Sequence, residues 1–258
     1  MAVVALCSAA GSPGVTTTSL GLALLWPRPV LLVEADPTGG SGILAGYFRG
    51  IRPYDQGLVE LALSADEVAE LLPRIAQPIG SSSAAFIPGP RAHSQAPALT
   101  GLWSPLLTAL QDLETTGQDV IVDCGRLGLT GWPEPVLAGA DLSLVLCRTD
   151  LPAIAAARSW AETAGRGHPA WANPGVLLVG EGQPYSANEV NNVLGLPVHA
   201  VVADDPQAAA VLHRGATVPD RFDRSPLVRS LHAAISAIHA VVGARRADLG
   251  LEVVSHVQ

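Results

Sequence analysis

The stretch VVALCSAAGSPGVTTTSLGLALL, residues 3–25, is the part of the sequence that says most about the fold. An apolar run comes first, a turn rich in Gly, Ser and Pro follows, and an Ala/Leu-rich segment completes the stretch. Strand, glycine-rich turn and helix in this order are the context of a phosphate cradle, because glycines let backbone N–H groups point inward and the helix N-terminus adds partial positive charge. The stretch therefore predicts an anion-binding turn between a strand and a helix.

Short β-rich runs alternate with Ala/Leu-rich segments along the rest of the chain, as in βα units that wind a mostly parallel sheet. We predict strands at residues 2–7, 30–34, 84–88, 120–123, 142–147, 176–179 and 198–202. We predict helices at residues 16–25, 58–75, 96–115, 151–164, 186–194, 206–214 and 225–242. The expected fold class is α/β, a doubly wound sheet of about seven strands flanked by helices. We expect one domain over residues 1–245 and a tail at residues 246–258.

The composition excludes several classes of function. All 15 basic residues are arginine and the sequence contains no lysine, so mechanisms that need a lysine are excluded, Schiff-base chemistry among them. The 23 acidic residues give a net charge of -8, which opposes a surface built to neutralise nucleic-acid phosphates. We expect no transmembrane segment, because Pro, Gly or a charge interrupts each apolar run before about 18 residues.

Two later strands end in charged residues at the edge where ligands bind in such sheets. Residues 30–36 read VLLVEAD and place Glu34 and Asp36 at the end of one strand. Residues 119–126 read DVIVDCGR and place Asp123 and Arg126 at the end of another. Carboxylates at this edge can hold the hydration shell of Mg²⁺ or orient water.

The order of these motifs resembles that of the MinD/ParA family of deviant Walker A ATPases, over nearly the whole chain. The family loop reads KGGxGK followed by two Thr or Ser. A second strand then ends in an acidic-x-Asp switch, and a later strand ends in the Walker B Asp. The segment GLPVHAVVADDPQAAAVLHRG, residues 195–215, is also similar to the family's C-terminal pattern. The resemblance implies a P-loop NTPase fold.

The resemblance also implies roles for individual residues. Nucleotide binding would fall to Gly11, Ser12, Gly14, Val15, Thr16 and Thr17, and Mg²⁺ binding to Thr16, Asp36 and Asp123. Asp36 would act in catalysis by positioning the attacking water, and Asp123 would act as the Walker B carboxylate. Thr16 to Thr18 could instead be ordinary helix caps, and both aspartates could be relics that only cap loops.

The sequence departs from the family pattern at the two lysines of that pattern. Ala10 stands where the family has its signature lysine, and Val15 stands where it has the phosphate-binding lysine. Ser12 replaces a glycine, and Pro13 has no backbone N–H to offer a phosphate. Loss of a cation opposite a phosphoryl transition state removes several kcal/mol of stabilisation, so vigorous ATP hydrolysis would need a substitute.

Arg126 is the candidate substitute, because a guanidinium can bind phosphate with a fork of N–H donors. The alternative is that Arg126 pairs with Asp123 or Asp36 and neutralises a carboxylate cluster left without lysines. The three cysteines, Cys7, Cys124 and Cys147, each close a predicted strand; we interpret them as small buried hydrophobes and not as a metal or redox site.

The resemblance then implies a degenerate, weak or inactive ATPase, with ATP and Mg²⁺ bound weakly or not at all. Its role would be that of a cytoplasmic localisation or scaffold protein acting through protein partners, in pilus or secretion assembly, as in the CpaE/TadZ branch, or in partitioning. The alternative is an active ATPase for chromosome partitioning or septum positioning that uses an arginine in place of the lysine.

The resemblance also bears on assembly. Family members dimerise over nucleotide through the signature lysine. With Ala10 in that place, a homodimer would need other surfaces, such as one around Arg49, Arg52 and Tyr54. The alternative for these three residues is an ordinary solvated loop.

Overall fold

The computed structural model describes residues 2–10, 12–166, 171–248 and 250 of the chain. Its strands are β1 (Val3–Ser8), β2 (Val30–Glu34), β3 (Gln77–Pro78), β4 (Ala84–Ile87), β5 (Asp119–Arg126), β6 (Leu142–Arg148), β7 (Pro174–Val179) and β8 (Val198–Val202). They form one eight-stranded sheet in the order β3-β4-β2-β5-β1-β6-β7-β8. All neighbouring strands are parallel except β3 and β4.

The predicted α/β sheet is confirmed, with one strand more than expected. β2 and β8 have the predicted bounds, and the other predicted strands differ by at most three residues at an end. The additional strand, β3, has two residues and lies at the edge of the sheet. A strand this short has no alternation of apolar and polar residues that a sequence pattern could reveal.

Helices flank the sheet between the strands. They are α1 (Val15–Leu25), α2 (Leu58–Leu63), α3 (Val68–Ile75), α4 (Trp103–Asp112), α5 (Glu134–Gly139), α6 (Leu151–Arg166), α7 (Ala187–Leu194), α8 (Pro206–Arg214) and α9 (Pro226–Asp248). Short 3₁₀ segments cover His93–Leu99, Leu113–Thr116 and Phe222–Arg224, and a π-helical turn covers Ile43–Tyr47.

Three of the predicted helices are wrong in extent. The helix expected at residues 225–242 continues to Asp248 as α9. The helix expected at residues 58–75 is divided into α2 and α3, because Ser64 adopts an extended conformation and its hydroxyl accepts a hydrogen bond from the Asp66 N–H. A side chain that bonds the backbone in this way competes with the helix. The helix expected at residues 96–115 is α only over Trp103–Asp112, after a 3₁₀ segment that contains Pro97.

Side chains alternate between two hydrophobic cores on the two faces of the sheet. In β1, Val3 and Cys7 pack into one core, while Val4 and Leu6 pack into the other. Every residue of β1 is buried. This two-sided burial explains why the strand is an unbroken apolar run in the sequence.

Helix α9 has the length and apolar character of a membrane span by composition alone, with a mean hydropathy of 1.4. Arg229 and Gly243 interrupt its apolar run before about 18 residues, as the sequence predicts, and the absence of a transmembrane segment stays a prediction. In the structure, α9 packs on β8 and α1, and its Leu227, Leu231 and Ile238 are buried in one of the two cores. This is the environment of a core helix in a globular protein.

The direction of winding reverses at β1, whose neighbours in the sheet are β5 and β6. Crevices for ligands form at such a reversal, outside the carboxyl ends of the strands. The register aligns Leu6 with Asp123, and Glu34 with Asp123, so β1, β2 and β5 end close together. This edge carries the candidate site.

Candidate functional site

A cleft of about 760 Å³ lies at the carboxyl edge of the sheet. Its walls come from the loop after β1, the ends of β2 and β5, and the segment that enters α8. They include Ser12, Gly14, Val15, Thr16, Thr17, Asp36, Gly125, Arg126, Arg148, Asp204, Pro206, Ala209 and Arg214. The structure therefore brings the described members of the predicted nucleotide site to one cleft, with Asp123 directly beneath it in β5. Gly11, also predicted for this site, lies outside the described residues.

Two residues of the loop after β1 have a left-handed backbone conformation. Gly14 has φ 98°, which glycine adopts without a steric penalty, and Ser12 has φ 47°, which a residue with a side chain adopts only at a cost. Helix α1 begins at Val15 with Gly14 as its N-cap and has no side-chain cap. The alternative interpretation of Thr16 to Thr18 as helix caps is therefore wrong.

Apolar side chains occupy the two positions at which the sequence resemblance places the family lysines. Val15 is 7% exposed and belongs to the hydrophobic core beneath the loop, together with Leu20 and Ile43. Ala10 is half-buried at the end of the strand-to-loop segment. Neither residue can offer a positive charge to a ligand in the cleft.

Asp123 is a fully buried carboxylate at the base of the site, with 0% of its surface exposed. One oxygen, Oδ1, accepts a hydrogen bond of 3.0 Å from the Gly125 N–H. The other, Oδ2, has no hydrogen-bond partner within the described residues. Burial raises the pKa of Asp123 to about 7. The nearby Thr16 hydroxyl opposes the rise, although it makes no hydrogen bond of ordinary geometry to Oδ2.

Two further carboxylates stand beside Asp123. Glu34 is 3% exposed, and its oxygens accept hydrogen bonds from the N–H groups of Ile43 and Gly89 at 3.3 and 3.4 Å. Burial raises the pKa of Glu34, so this residue holds two loops together more readily than it binds a ligand. Asp36 is half-buried, lines the cleft, and accepts a hydrogen bond of 2.9 Å from the Thr38 N–H.

Gly125 allows β5 to pass close to Asp36. Its φ is 61°, and a Cβ atom at this position would lie 2.2 Å from the Asp36 Cγ. Only glycine fits such an approach, because a side chain would collide with the carboxyl group. Asp36 is therefore held near Asp123, where its negative charge adds to the rise in the pKa of Asp123 that burial causes.

The arrangement offers a hard cation only a few protein oxygens and not a full protein cage. Across the described segments, no group of three or more His, Cys, Asp or Glu side chains is arranged to hold a metal ion. The unpartnered Asp123 Oδ2 and the adjacent Thr16 nevertheless fit a Mg²⁺ ion, which usually keeps several waters and takes only one or two protein oxygens.

Arg126 extends from the end of β5 into the cleft and is exposed. In the described part of the chain it makes no ion pair. The alternative in which Arg126 neutralises Asp123 or Asp36 is therefore not what the structure contains. Its guanidinium is free to meet an anion in the cleft.

Sequence reasoning missed the opposite wall of the cleft. Arg148, at the end of β6, forms an ion pair of 2.9 Å with Asp204, which follows β8. Asp205 caps α8 by accepting a hydrogen bond from the Ala208 N–H, and Arg214, at the end of the same helix, also lines the cleft. The signal for Arg148, Asp204 and Asp205 was their position at or just after the end of a parallel strand, the same rule that located Asp123; Arg214, at the end of α8, had no such signal.

The three cysteines are free and buried, as interpreted from the sequence. Burial raises the pKa of the Cys147 thiol to about 11 and raises the pKa values of Cys7 and Cys124 as well. Thiols held in their neutral form are poor nucleophiles and poor metal ligands.

The three residues considered for a dimer surface make contacts within the chain. The Arg52 guanidinium lies 4.0 Å from the centroid of the Phe48 ring, and the Tyr54 hydroxyl donates to the Gly89 carbonyl at 2.7 Å. Arg49 has φ 51° and packs beside Gly215. These contacts order the segment, so the description of it as an ordinary solvated loop is incomplete.

The structure is similar to solved ATPase structures at low sequence identity. MinD from Pyrococcus horikoshii in complex with Mg-ADP is 15% identical, with a TM-score of 0.72 over 95% of this chain and 98% of that one. MinD in the MinC:MinD complex of Aquifex aeolicus is 14% identical, with a TM-score of 0.71 over 93% and 96%. A ParA-family ATPase from Chlorobium tepidum is 16% identical, with a TM-score of 0.67 over 93% and 98%.

No protein-family model matches the sequence, and no curated protein sequence matches it. The likeness is therefore one of fold, and it extends over nearly the whole length of both chains. The chain has the fold of the MinD and ParA P-loop ATPases.

Proposed function

We propose that this chain is a cytoplasmic localisation or scaffold protein with the MinD/ParA fold, and that its nucleotide site is weak and hydrolyses ATP slowly or not at all. The observation that carries the proposal is the burial of Val15 in the hydrophobic core, at the position where the family resemblance places the phosphate-binding lysine. A phosphate above this loop meets backbone N–H groups but no lysine. Three carboxylates stand nearby, and the Asp123 Oδ2 has no hydrogen-bond partner within the described residues.

The residues that would hold a nucleotide are those of the loop and the start of α1, chiefly Gly14, Thr16 and Thr17. Thr16 and Asp123 would hold Mg²⁺, which supplies charge neutralisation between phosphate and carboxylate. Asp36 stands where a carboxylate could orient water. The solved structure of MinD with Mg-ADP supports this choice of ligand for the fold.

A second candidate function is that of an active partitioning or septum-positioning ATPase that uses an arginine in place of the lysine. The observation that favours it is Arg126, which lines the cleft without an ion pair among the described residues. A guanidinium that makes two N–H···O bonds to a phosphate can replace part of the lost electrostatic stabilisation.

Calorimetric titration with ATP, ADP and GTP in the presence of Mg²⁺ separates the two functions, together with a phosphate-release assay. For the scaffold, we expect binding weaker than about 100 μM, or no heat at all, and ATP turnover that is slow or absent. For the ATPase, binding at micromolar affinity would fall about tenfold in Arg126→Ala, a loss of about 1.4 kcal/mol.

Arg158→Ala is the matched control, because Arg158 is an exposed arginine on α6 that does not line the cleft. Equal loss of affinity in Arg126→Ala and Arg158→Ala would mean that the change reflects net charge and not a contact. Steady ATP turnover by the wild type that disappears in Arg126→Ala would overturn the scaffold proposal.

The proposal also includes association with protein partners or with a second copy of the chain. MinD of Aquifex aeolicus was solved in a complex with MinC, which supports protein association as a use of this fold. Work in pilus or secretion assembly, or in partitioning, follows from the sequence resemblance. A pull-down with the intact chain, compared with and without Mg-ATP, identifies the partner and tests whether nucleotide controls the association.

A further inference from the structure

A second pocket, of about 450 Å³, lies between the start of α4, the loop at residues 127–133 and the start of α5. Its lining includes two tryptophans, Trp103 and Trp132, and one acidic residue, Glu134. Leu129 lines both this pocket and the candidate nucleotide cleft. We refer to it below as the tryptophan pocket.

The aromatic walls of the tryptophan pocket are fixed by contacts. The Trp132 ring packs edge to face against Trp160, with centroids 5.6 Å apart and an interplanar angle of 63°. The Trp103 Nε1–H donates to the Gly131 carbonyl at 3.0 Å. Because these rings hardly need to reorganise, a ligand that enters the pocket loses little affinity to ordering it.

The loop that closes the pocket is equally constrained. Gly131 has φ 80°, and a Cβ atom there would lie 2.4 Å from the Ala96 carbonyl oxygen. A Cβ atom on Gly128 would lie 2.9 Å from the Trp160 ring. Only glycines allow the loop to sit this close to its neighbours, so the pocket is a built feature of the fold.

The electrostatics of the tryptophan pocket favour a cation. Glu134 is exposed at the first residue of α5 and, in the segments that the structure describes, makes no ion pair. The net charge of the chain is -8, which favours the approach of basic ligands. An indole face attracts a cation through its quadrupole. Trp132, which is half-buried, supplies that face, since Trp103 is 1% exposed, and the Glu134 carboxylate adds a direct charge partner.

We propose that the tryptophan pocket binds a cationic side chain, in the first place the guanidinium of an arginine, from a basic segment of a protein partner. A planar guanidinium stacks on indole and forms two hydrogen bonds with one carboxylate, whereas an ammonium group does neither as well. This proposal rests on the scaffold role, because a scaffold requires protein partners and the pocket would bind one of them.

The test is a tryptophan-fluorescence titration of the intact chain, without nucleotide, with a short Gly-Arg-Gly-Arg-Gly peptide. The expected result is a saturable change that a Gly-Gln-Gly-Gln-Gly peptide does not produce. A lysine version of the peptide should bind several-fold more weakly than the arginine version. Raising NaCl from about 50 mM to about 500 mM should weaken binding several-fold, since salt screens the carboxylate.

Variants separate a specific pocket from general charge attraction. Trp132→Ala should weaken binding about tenfold, and Glu134→Gln about threefold or more, within the range of one cation–π contact and one partly exposed charge pair. Glu70→Gln is the matched control, because Glu70 is also exposed on a helix and lies outside the pocket. Glu134→Gln changes an exposed side chain, so it keeps the test valid if Trp132→Ala fails to fold.

Two results would overturn the proposal: equal binding of the arginine and glutamine peptides, or unchanged affinity in Glu134→Gln and Trp132→Ala. Because the titration contains no nucleotide, these outcomes are independent of the calorimetry on the cleft. If the arginine peptide does not bind and ATP does not bind either, the pocket proposal is overturned while the scaffold role stands. If the arginine peptide binds and the chain turns ATP over rapidly, the pocket proposal is supported and the scaffold role is overturned.

Discussion

Asp123 is a buried carboxylate at the base of the candidate site. The carboxylate has no exposed surface, one of its oxygens lacks a hydrogen-bond partner within the described residues, and Glu34 and Asp36 add negative charge close by. A buried carboxylate in this position binds a proton more tightly than it does in water. Near neutral pH a proton and a cation would therefore compete for this carboxylate.

The titration of Asp123 gives a prediction for stability against pH. Its pKa is about 7 in the folded chain and 3.8 as a free group, so between these values the native state binds more protons than the unfolded state. Stability from this group is therefore full below about pH 4 and is lost as the pH rises through about 7. Asp123→Asn removes the effect and keeps an oxygen that can accept the Gly125 N–H bond.

We expect Asp123→Asn to be more stable than the wild type by about 2 kcal/mol or more at about pH 8, and the advantage to shrink as the pH falls towards 4. Urea unfolding of both proteins across this range is the measurement. Glu189→Gln, a change at an exposed carboxylate of the α7 capping box, serves as the comparison. Its stability relative to the wild type should not rise with pH. A difference between wild type and Asp123→Asn that does not vary with pH would contradict the assignment.

At the scale of elements, α9 illustrates how composition and position can disagree. Its 23 residues suffice for a membrane span by length and hydropathy, yet one side of the helix packs on β8 and α1. Leu231 is 1% exposed and meets Gly21 of α1, where a Cβ atom would lie 2.7 Å from its Cδ1. Gly21 thus lets α1 approach α9 closely, and the pair forms part of one core.

Leu231→Ala should destabilise the fold by about 2 to 5 kcal/mol, because it removes buried methyl groups and leaves a cavity between α1 and α9. His232→Ala, at the next and exposed position of the same helix, should change stability by less than about 0.5 kcal/mol. Chemical denaturation in the absence of lipid measures both. Similar, small effects of the two substitutions would show that α9 does not depend on packing against the body of the protein.

At the scale of the whole molecule, the cleft joins the two halves of the doubly wound sheet. Its walls come from β1, β2 and β5 on one side and from β6, β8 and α8 on the other, with the Arg148–Asp204 pair across the second wall. A ligand in the cleft would touch both halves. For assembly, the relevant residue is Ala10, whose methyl side chain offers no charge to a second copy of the chain.

We therefore expect the molecular mass in solution to be the same with and without Mg-ATP, because the resemblance places the signature lysine at Ala10, whose side chain cannot reach across to a partner's nucleotide. Size-exclusion chromatography with light scattering measures the mass. Ala10→Lys, which introduces a cation at this position, is the comparison and should respond to nucleotide more than the wild type does. A wild-type mass that doubles on addition of Mg-ATP would favour the ATPase alternative.

The local parts of this protein follow from its sequence alone. Apolar runs such as residues 30–34 specified strands buried on both faces, and the turn around Gly14 specified a strand-loop-helix unit, because these features depend on near neighbours in the chain. The absence of lysine from the sequence is enough to exclude the family's two cations. The ends of the strands placed Asp36, Asp123 and Arg126 at one edge.

How these residues meet depends on the tertiary structure. Whether Arg126 would pair with an aspartate or remain free is set by contacts between residues far apart in the sequence, and so is the burial that raises the pKa of Asp123. The division of the helix predicted at residues 58–75, the Arg148–Asp204 wall and the tryptophan pocket have the same origin. Periodicity reports which face of an element is buried; distances across the fold are set by packing, which no single segment encodes.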